Sequence, residues 1–273
     1  MLVATQTDPR RSVMARHTSL GGSVWVATST GVFRGDGTAF RKFPGLDGYA
    51  YTLLEDARGR IWVVGRDLLT VIDGDRVIDV RAALGLSGRV FDIAADGPAH
   101  LWIGMEDGAR HLSLGAGDDV RVDRFVDTRR GAATREVWVV ALGEDGALLL
   151  GTSSGGVLTA TADGLEPLES QDHETWALLR DGFGVIWAGT DQGLRRFEPS
   201  SFTLLSAGLS GGDVWTVRRD GAGTIWAGLG DGGVARWTGT RFVPVLRGDP
   251  SSSLSPATWP EGDHLLAVQP SGP

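Results

Sequence analysis

An all-β fold of radially repeated sheets is what this sequence predicts, and three observations carry that reading. A short apolar motif returns at Trp25, Trp62, Trp102, Leu149, Trp187, Trp226 and Leu266, at spacings of 37, 40, 47, 38, 39 and 40 residues. A second column lies eleven residues before each of these anchors, at Met14, Tyr51, Phe91, Trp138, Trp176, Trp215 and Ser255, and five of its members are aromatic. The 273 residues also include 41 glycines without a collagen period, which suits many short strands joined by tight turns. Helical periodicity is nearly absent, with one turn at most near residues 81–86.

Each unit reads as a meander of four strands. In the fifth unit these span 175–179, 185–190, 193–197 and 202–205. Between the first two strands stands a turn with Asp six residues before the anchor and Gly three before it, as in Asp56/Gly59, Asp181/Gly184 and Asp220/Gly223. Asp bonds the backbone two residues on and Gly accepts positive φ, so the pattern is a hairpin turn. The second strand, IWAGT in the fifth unit, is apolar on both faces, as a strand sandwiched between neighbouring sheets must be. The third strand starts at a glycine six residues after the anchor in most units. Arg195 and Arg196 on a third strand suggest that the third and fourth strands lie further out. Four-stranded sheets repeating at this period make a β-propeller.

Seven anchors imply seven four-stranded antiparallel blades in one domain, 1–273. The last is incomplete, because only seven residues follow Leu266. Leu2 lies 23 residues before Trp25, close to the 22 to 24 that separate Phe40, Phe202 and Phe242 from their anchors. Residues 2–5 are therefore expected to supply an outermost strand that closes the ring on the C-terminal blade. The alternative is that both ends are cuts inside a longer propeller chain.

The units TWALLRDGFGVIWAGTDQGLRRF and VWTVRRDGAGTIWAGLGDGGVARW resemble the two-component regulator propeller repeat: a hydrophobic strand, a D-x-x-G turn, a W-hydrophobic-G-T strand and a Gly-Leu start to the next. The resemblance covers about 20 residues in each of four or five units. It implies a sensor-type recognition module of a signalling protein, usually outside the cytoplasm, but no kinase or cyclase motif accompanies it here. At the level of the repeat alone the chain is also similar to the streptogramin B lyases, which are propeller enzymes, and that similarity transfers no residue.

Composition narrows the partners. Lys and Arg total 26 against 34 Asp and Glu, a net charge of −8, and no basic run exceeds two residues. A nucleic-acid or anionic-membrane surface needs the opposite balance. The absence of cysteine excludes disulfides, thiolate metal sites and a Cys nucleophile. No apolar stretch approaches the length of a membrane-spanning helix. The N-terminus does not read as an export signal, so the expected compartment is the cytoplasm for the chain as written, and the periplasm if it is a piece of a longer sensor.

A ligand site is expected where the loops joining successive blades converge. The residues thirteen before the anchors ring that mouth: Ser12, Tyr49, Arg89, Glu136, Glu174, Asp213 and Ser253, with Arg129, Arg130, Arg135, Asp172 and His173 beside them. Tyr49, Arg89, Arg135, Glu136, Glu174 and Asp213 make an asymmetric polar pocket for a small zwitterion, a sugar or a peptide end. The competing reading is a solvated rim whose charges pair with one another, where such pairs contribute little. Asp67, Glu106, Asp107, Asp191 and Asp231 add carboxylates that could hold a divalent cation, though acidic residues in Gly-rich turns commonly serve the turn alone. No other cofactor is called for.

Three functions follow in order of preference: a non-catalytic sensor binding a small ligand or a signalling partner protein, a lyase or hydrolase, and a rigid interaction scaffold. The enzyme would use His173 and Glu174, from the one compact acid/base cluster, Asp172-His173-Glu174. The tryptophans of the anchor column are expected in the core because they recur in the most apolar strand. Trp237 lies outside both columns and is the better candidate for a contact surface.

Overall fold

The computed structural model describes residues 13–246 apart from 20, 37–38, 130–135, 144–145, 162–163, 169–172, 182, 199–200, 207, 210–212 and 231–232. These residues form six four-stranded antiparallel sheets, each a meander in chain order. The first blade comprises β1 to β4 (Val13–Thr18, Val24–Thr28, Gly31–Gly35, Phe40–Lys42) and the second β5 to β8 (Ala50–Glu55, Ile61–Gly65, Leu69–Asp73, Arg76–Asp79). A single helical turn, α1 (Val80–Ala83), capped by Asp79, leads to the third, β9 to β12 (Val90–Ala95, His100–Met105, Gly108–Leu114, Val120–Asp127). The fourth is β13 to β16 (Val137–Leu142, Leu148–Thr152, Val157–Ala160, Leu165–Pro167), and the fifth β17 to β20 (Thr175–Arg180, Ile186–Thr190, Gly193–Glu198, Ser201–Leu205). The sixth is β21 to β24 (Val214–Arg219, Ile225–Leu229, Val234–Trp237, Phe242–Leu246). No described helix is long and apolar enough to cross a membrane.

The first strands touch in succession, β1 to β5, β9, β13, β17 and β21, and the second strands of the first five blades also meet the first strand of the following blade. The core is consequently laid down as slabs between blades. One slab joins Tyr51, Trp62 and Leu69 of the second blade to Leu101, Ile103 and Leu112 of the third. Another joins Trp187 and Leu194 of the fifth to Val214, Ile225 and Phe242 of the sixth. A second strand buried on both faces cannot alternate polar with apolar residues, and β6 is buried at all five positions.

The repeated Asp has a second task that turn chemistry alone does not reveal. In four blades one carboxylate oxygen accepts the indole N–H of the anchor: Asp56 from Trp62 at 3.0 Å, Asp96 from Trp102 at 3.1 Å, Asp181 from Trp187 at 2.9 Å and Asp220 from Trp226 at 2.8 Å. In three of these the other oxygen closes the turn, as Asp181 does on the N–H groups of Phe183 and Val185. Burying tryptophan strands a donor, and the turn carboxylate satisfies it. The threonine of the W-x-G-T strand acts in the same way at the other end: buried Thr190 donates to Gly193 O at 2.8 Å.

The glycine of that strand marks a close approach between blades. A Cβ on Gly189 would stand 2.4 Å from Val214 O, and one on Gly104 would stand 2.6 Å from Val137 O, each on the next blade's first strand. Gly189→Ala is expected to cost about 1–3 kcal/mol by forcing the blades apart. Urea denaturation checks this, and an unchanged midpoint would mean that the two blades do not pack at this distance.

Three expectations need correction. The described residues form six blades and not seven. The seventh copy carries neither column, having Leu266 and Ser255 in place of the aromatics, and Pro260 where the turn Asp should stand. Leu266 and the closing segment 2–5 lie outside the described residues, as do the ends of the domain drawn as 1–273. Arg195 on the third strand β19 is fully buried rather than outward, with its guanidinium on Gln192 Oε1 at 2.8 Å. Trp237 is half-buried, its ring 5.7 Å from Trp187 and 5.1 Å from Phe242, so it belongs to the slab between the fifth and sixth blades.

Candidate functional site: the mouth of the propeller

The first strand of every described blade carries a β-bulge near its start. The unpaired residue is Met14, Tyr51, Phe91, Trp138, Trp176 or Trp215, the whole described part of the second sequence column. A bulge turns its extra residue out of the ladder and re-aims the side chain. The five aromatic members meet the residue two positions earlier, or a group at the same level of the neighbouring blade. Tyr51 lies 5.5 Å from the Tyr49 ring, the Arg89 guanidinium lies 5.3 Å over Phe91, and Trp138 Nε1 donates to Glu136 at 2.8 Å. Trp176 and Trp215 meet each other edge to face at 6.3 Å.

The loops between second and third strands complete this level. Their backbone N–H groups donate to the carbonyls of the predicted rim residues: Arg66 to Tyr49, Glu106 to Arg89, Ser153 to Glu136, Asp191 to Glu174 and Gly230 to Asp213, at 3.0 to 3.3 Å. Five described blades therefore each present a rim residue, a bulged aromatic and a loop residue at one end of the channel. The rim positions and the aromatic column are both visible in the sequence. Residue spacing locates the column but not the bulge that re-aims it, and Tyr51 remains in the core at 4% exposure.

The charges are divided unevenly. Arg89 donates to Glu106 at 2.6 Å and to Glu136 at 3.3 Å, bridging the third and fourth blades. The hydrogen bond to Glu106 holds the guanidinium above its ordinary pKa. Asp107 is held below the usual carboxylate range by Arg110, which grips it with two bonds of 2.6 and 2.8 Å. Burial raises Tyr49, helped by Tyr51 and opposed by Arg66. In the fifth and sixth blades the direction for the carboxylates reverses. Burial, then Asp191 and Asp213, raise Glu174, while burial and Asp191 raise Asp213.

Deeper in, burial pushes Asp92 on β9 up to about 6, although it accepts the Val140 N–H at 3.1 Å and feels Arg218 on β21. These strands belong to blades three apart, so their fields meet across the central channel.

His173 and Glu174 part company. The histidine is 3% exposed, its Nδ1 3.2 Å from Thr175 Oγ1 and its carbonyl bonded to Gly156 N–H, whereas Glu174 belongs to the rim. His111 bridges Asp96 and Asp123 at 3.0 and 2.7 Å within the third blade, and His17 bonds Glu55 at 2.8 Å. Ser12, Arg130, Arg135, Asp172, Asp231 and Ser253 lie outside the described residues. Among the described residues no group of three or more His, Asp or Glu side chains could hold a metal ion.

Fold and mouth together define a β-propeller with an aromatic and charged opening at one end of its channel. The chain is similar in fold to the extracellular domain of a putative hybrid two-component system from B. thetaiotaomicron, with a TM-score of 0.75 and 17% identity over 91% of this chain and 34% of that one. A second such domain from the same organism gives a TM-score of 0.71 and 18% identity over 88% and 34%. This chain thus spans about a third of the length of these extracellular domains. A virginiamycin B lyase from Staphylococcus aureus, solved with quinupristin, gives 0.72 and 12% over 92% and 89%. No protein-family model and no curated protein sequence matches the chain.

Proposed function

We propose that the chain is a non-catalytic recognition module, the input of a signalling protein outside the cytoplasm, that takes a small ligand at the mouth built by Tyr49, Arg89, Glu136, Glu174 and Asp213. The observation that carries this reading is the recurrence, in five blades, of a bulged aromatic beside a rim residue and a loop residue. Rigid strands deliver aromatic faces and charges to one level, which is how a binding site is held ready. The fold likeness to extracellular two-component domains supports the signalling context. Burial of His173 speaks against the acid/base pair that a lyase or hydrolase would need at the same mouth.

The test is a thermal-shift screen against amino acids, sugars, short peptides and amines, repeated on an Arg89→Ala/Glu174→Gln variant. A ligand at 100 times its Kd stabilises by about 2.7 kcal/mol, and this gain should vanish in the variant. A hit that survives the variant puts the ligand elsewhere. Turnover of any compound, lost with His173→Ala, would replace the sensor by an enzyme. No shift with any compound would favour the scaffold.

A further inference from the structure

The units of the mouth are chemically unequal. Around the third and fourth blades opposite charges meet: Arg89 serves Glu106 and Glu136, and the other oxygen of Glu136 takes the Trp138 indole. Around the fifth and sixth, Glu174, Asp191 and Asp213 form no ion pair with a basic side chain among the described residues. The indoles there do not engage them either. Nε1 of Trp176 and of Trp215 is enclosed with no acceptor among the described residues. Gly230 makes room for this arrangement, since a Cβ there would lie 3.1 Å from the Trp215 ring and 3.2 Å from Asp213 Cβ.

We propose that this sector binds a small organic ammonium ion, its charge held among Glu174, Asp191 and Asp213 and its C–H groups against Trp176 and Trp215. The inference rests on the mouth being the ligand-binding face. Aromatic faces attract cations through the ring quadrupole, more strongly where water is excluded. Asp191 accepts the Glu174 backbone N–H at 3.2 Å and its charge also acts on Asp213, so a neutral guest would leave these carboxylates without a compensating cation, and a bare metal ion would leave both rings unused. An ammonium ion with an apolar shell answers both needs.

Choline is the probe, titrated calorimetrically and by tryptophan fluorescence into the full chain. Beside it run its neutral isostere, in which a tert-butyl group replaces the trimethylammonium, and calcium. Choline should bind and shift the fluorescence, with the isostere weaker by about tenfold or more, in the range of a desolvated cation–π contact. Glu174→Gln and Asp213→Asn should each weaken choline by about tenfold, on the same scale. Trp215→Ala should do likewise, with partial recovery in Trp215→Phe. Melting curves establish that each variant is folded, and Phe183→Ser, in the hairpin turn at the other end of its blade's first strand, should leave binding unchanged.

Equal binding of the isostere overturns the proposal, as does calcium binding without choline binding. A sugar or peptide that binds and is lost with Glu174→Gln, while choline has no effect, would sink the ammonium assignment and keep the mouth. Silence from every compound would sink both.

Discussion

Asp56→Ala is expected to destabilise the protein by about 3–5 kcal/mol, through loss of a buried charge partner. Asp56 and Arg60 are 2% and 5% exposed and meet at 2.8 Å. The same carboxylate accepts from Trp62 Nε1 and from the N–H groups of Arg58 and Arg60. Alanine leaves the enclosed guanidinium with Gly117 O, at 3.1 Å, as its hydrogen-bond acceptor among the described residues. Breaking one side of a buried pair costs more than replacing both sides, so Asp56→Leu/Arg60→Met should recover part of the loss.

The effect should also depend on pH. Burial acts to raise the Asp56 pKa, but the donors from Trp62, Arg60 and Arg58 outweigh it and hold the carboxyl below its ordinary value. A depressed carboxylate stabilises the fold above its unfolded pKa, about 3.9, and that contribution is lost as pH falls through the lower folded value. Parent and variant should therefore converge in acid. Equilibrium denaturation from neutral to acid pH measures it, and a gap that persists in acid would assign the loss to packing.

Trp187→Ala is the second large effect, also about 3–5 kcal/mol, from the cavity left by an indole that is 2% exposed. The ring packs at 5.7 Å against Trp237 and within the slab holding Val214 and Phe242. Asp181 would at the same time lose the donor at 2.9 Å, although it keeps its turn bonds. Trp187→Phe should retain much of the packing and lose the hydrogen bond, which separates the two contributions. Thermal melting and urea denaturation report both. A loss near zero for Trp187→Ala would mean that the anchor column faces solvent and that the assigned blade register is wrong.

Much of this architecture was legible because blades are local objects. The four strands expected in the fifth unit fall within one residue of those observed at every end, because a meander is stitched by turns whose Asp and Gly stand at fixed offsets. The five described residues thirteen before an anchor each stand directly before a first strand for the same reason, since that offset is local to the blade. The number of blades was not legible. Counting anchors admitted Leu266, a leucine in register with none of the aromatic or turn chemistry that defines the other copies.

What the sequence determined by itself is the repeat: a strand order, a turn, an apolar second strand and a mouth at a known level, all set by contacts within about 40 residues. What only the tertiary structure decided involves neighbours from other blades. It buries Arg195 and pairs Arg89 with Glu136, while Glu174 and Asp213 both feel the charge of Asp191. It also sets the bulged residues apart from the ladder, leaving Phe91, Trp138, Trp176 and Trp215 partly exposed while Tyr51 stays in the core at 4% exposure. Hydrophobic spacing encodes which residues are apolar. It does not encode which of them the backbone releases from pairing, and in this protein the released ones stand two residues after the rim positions.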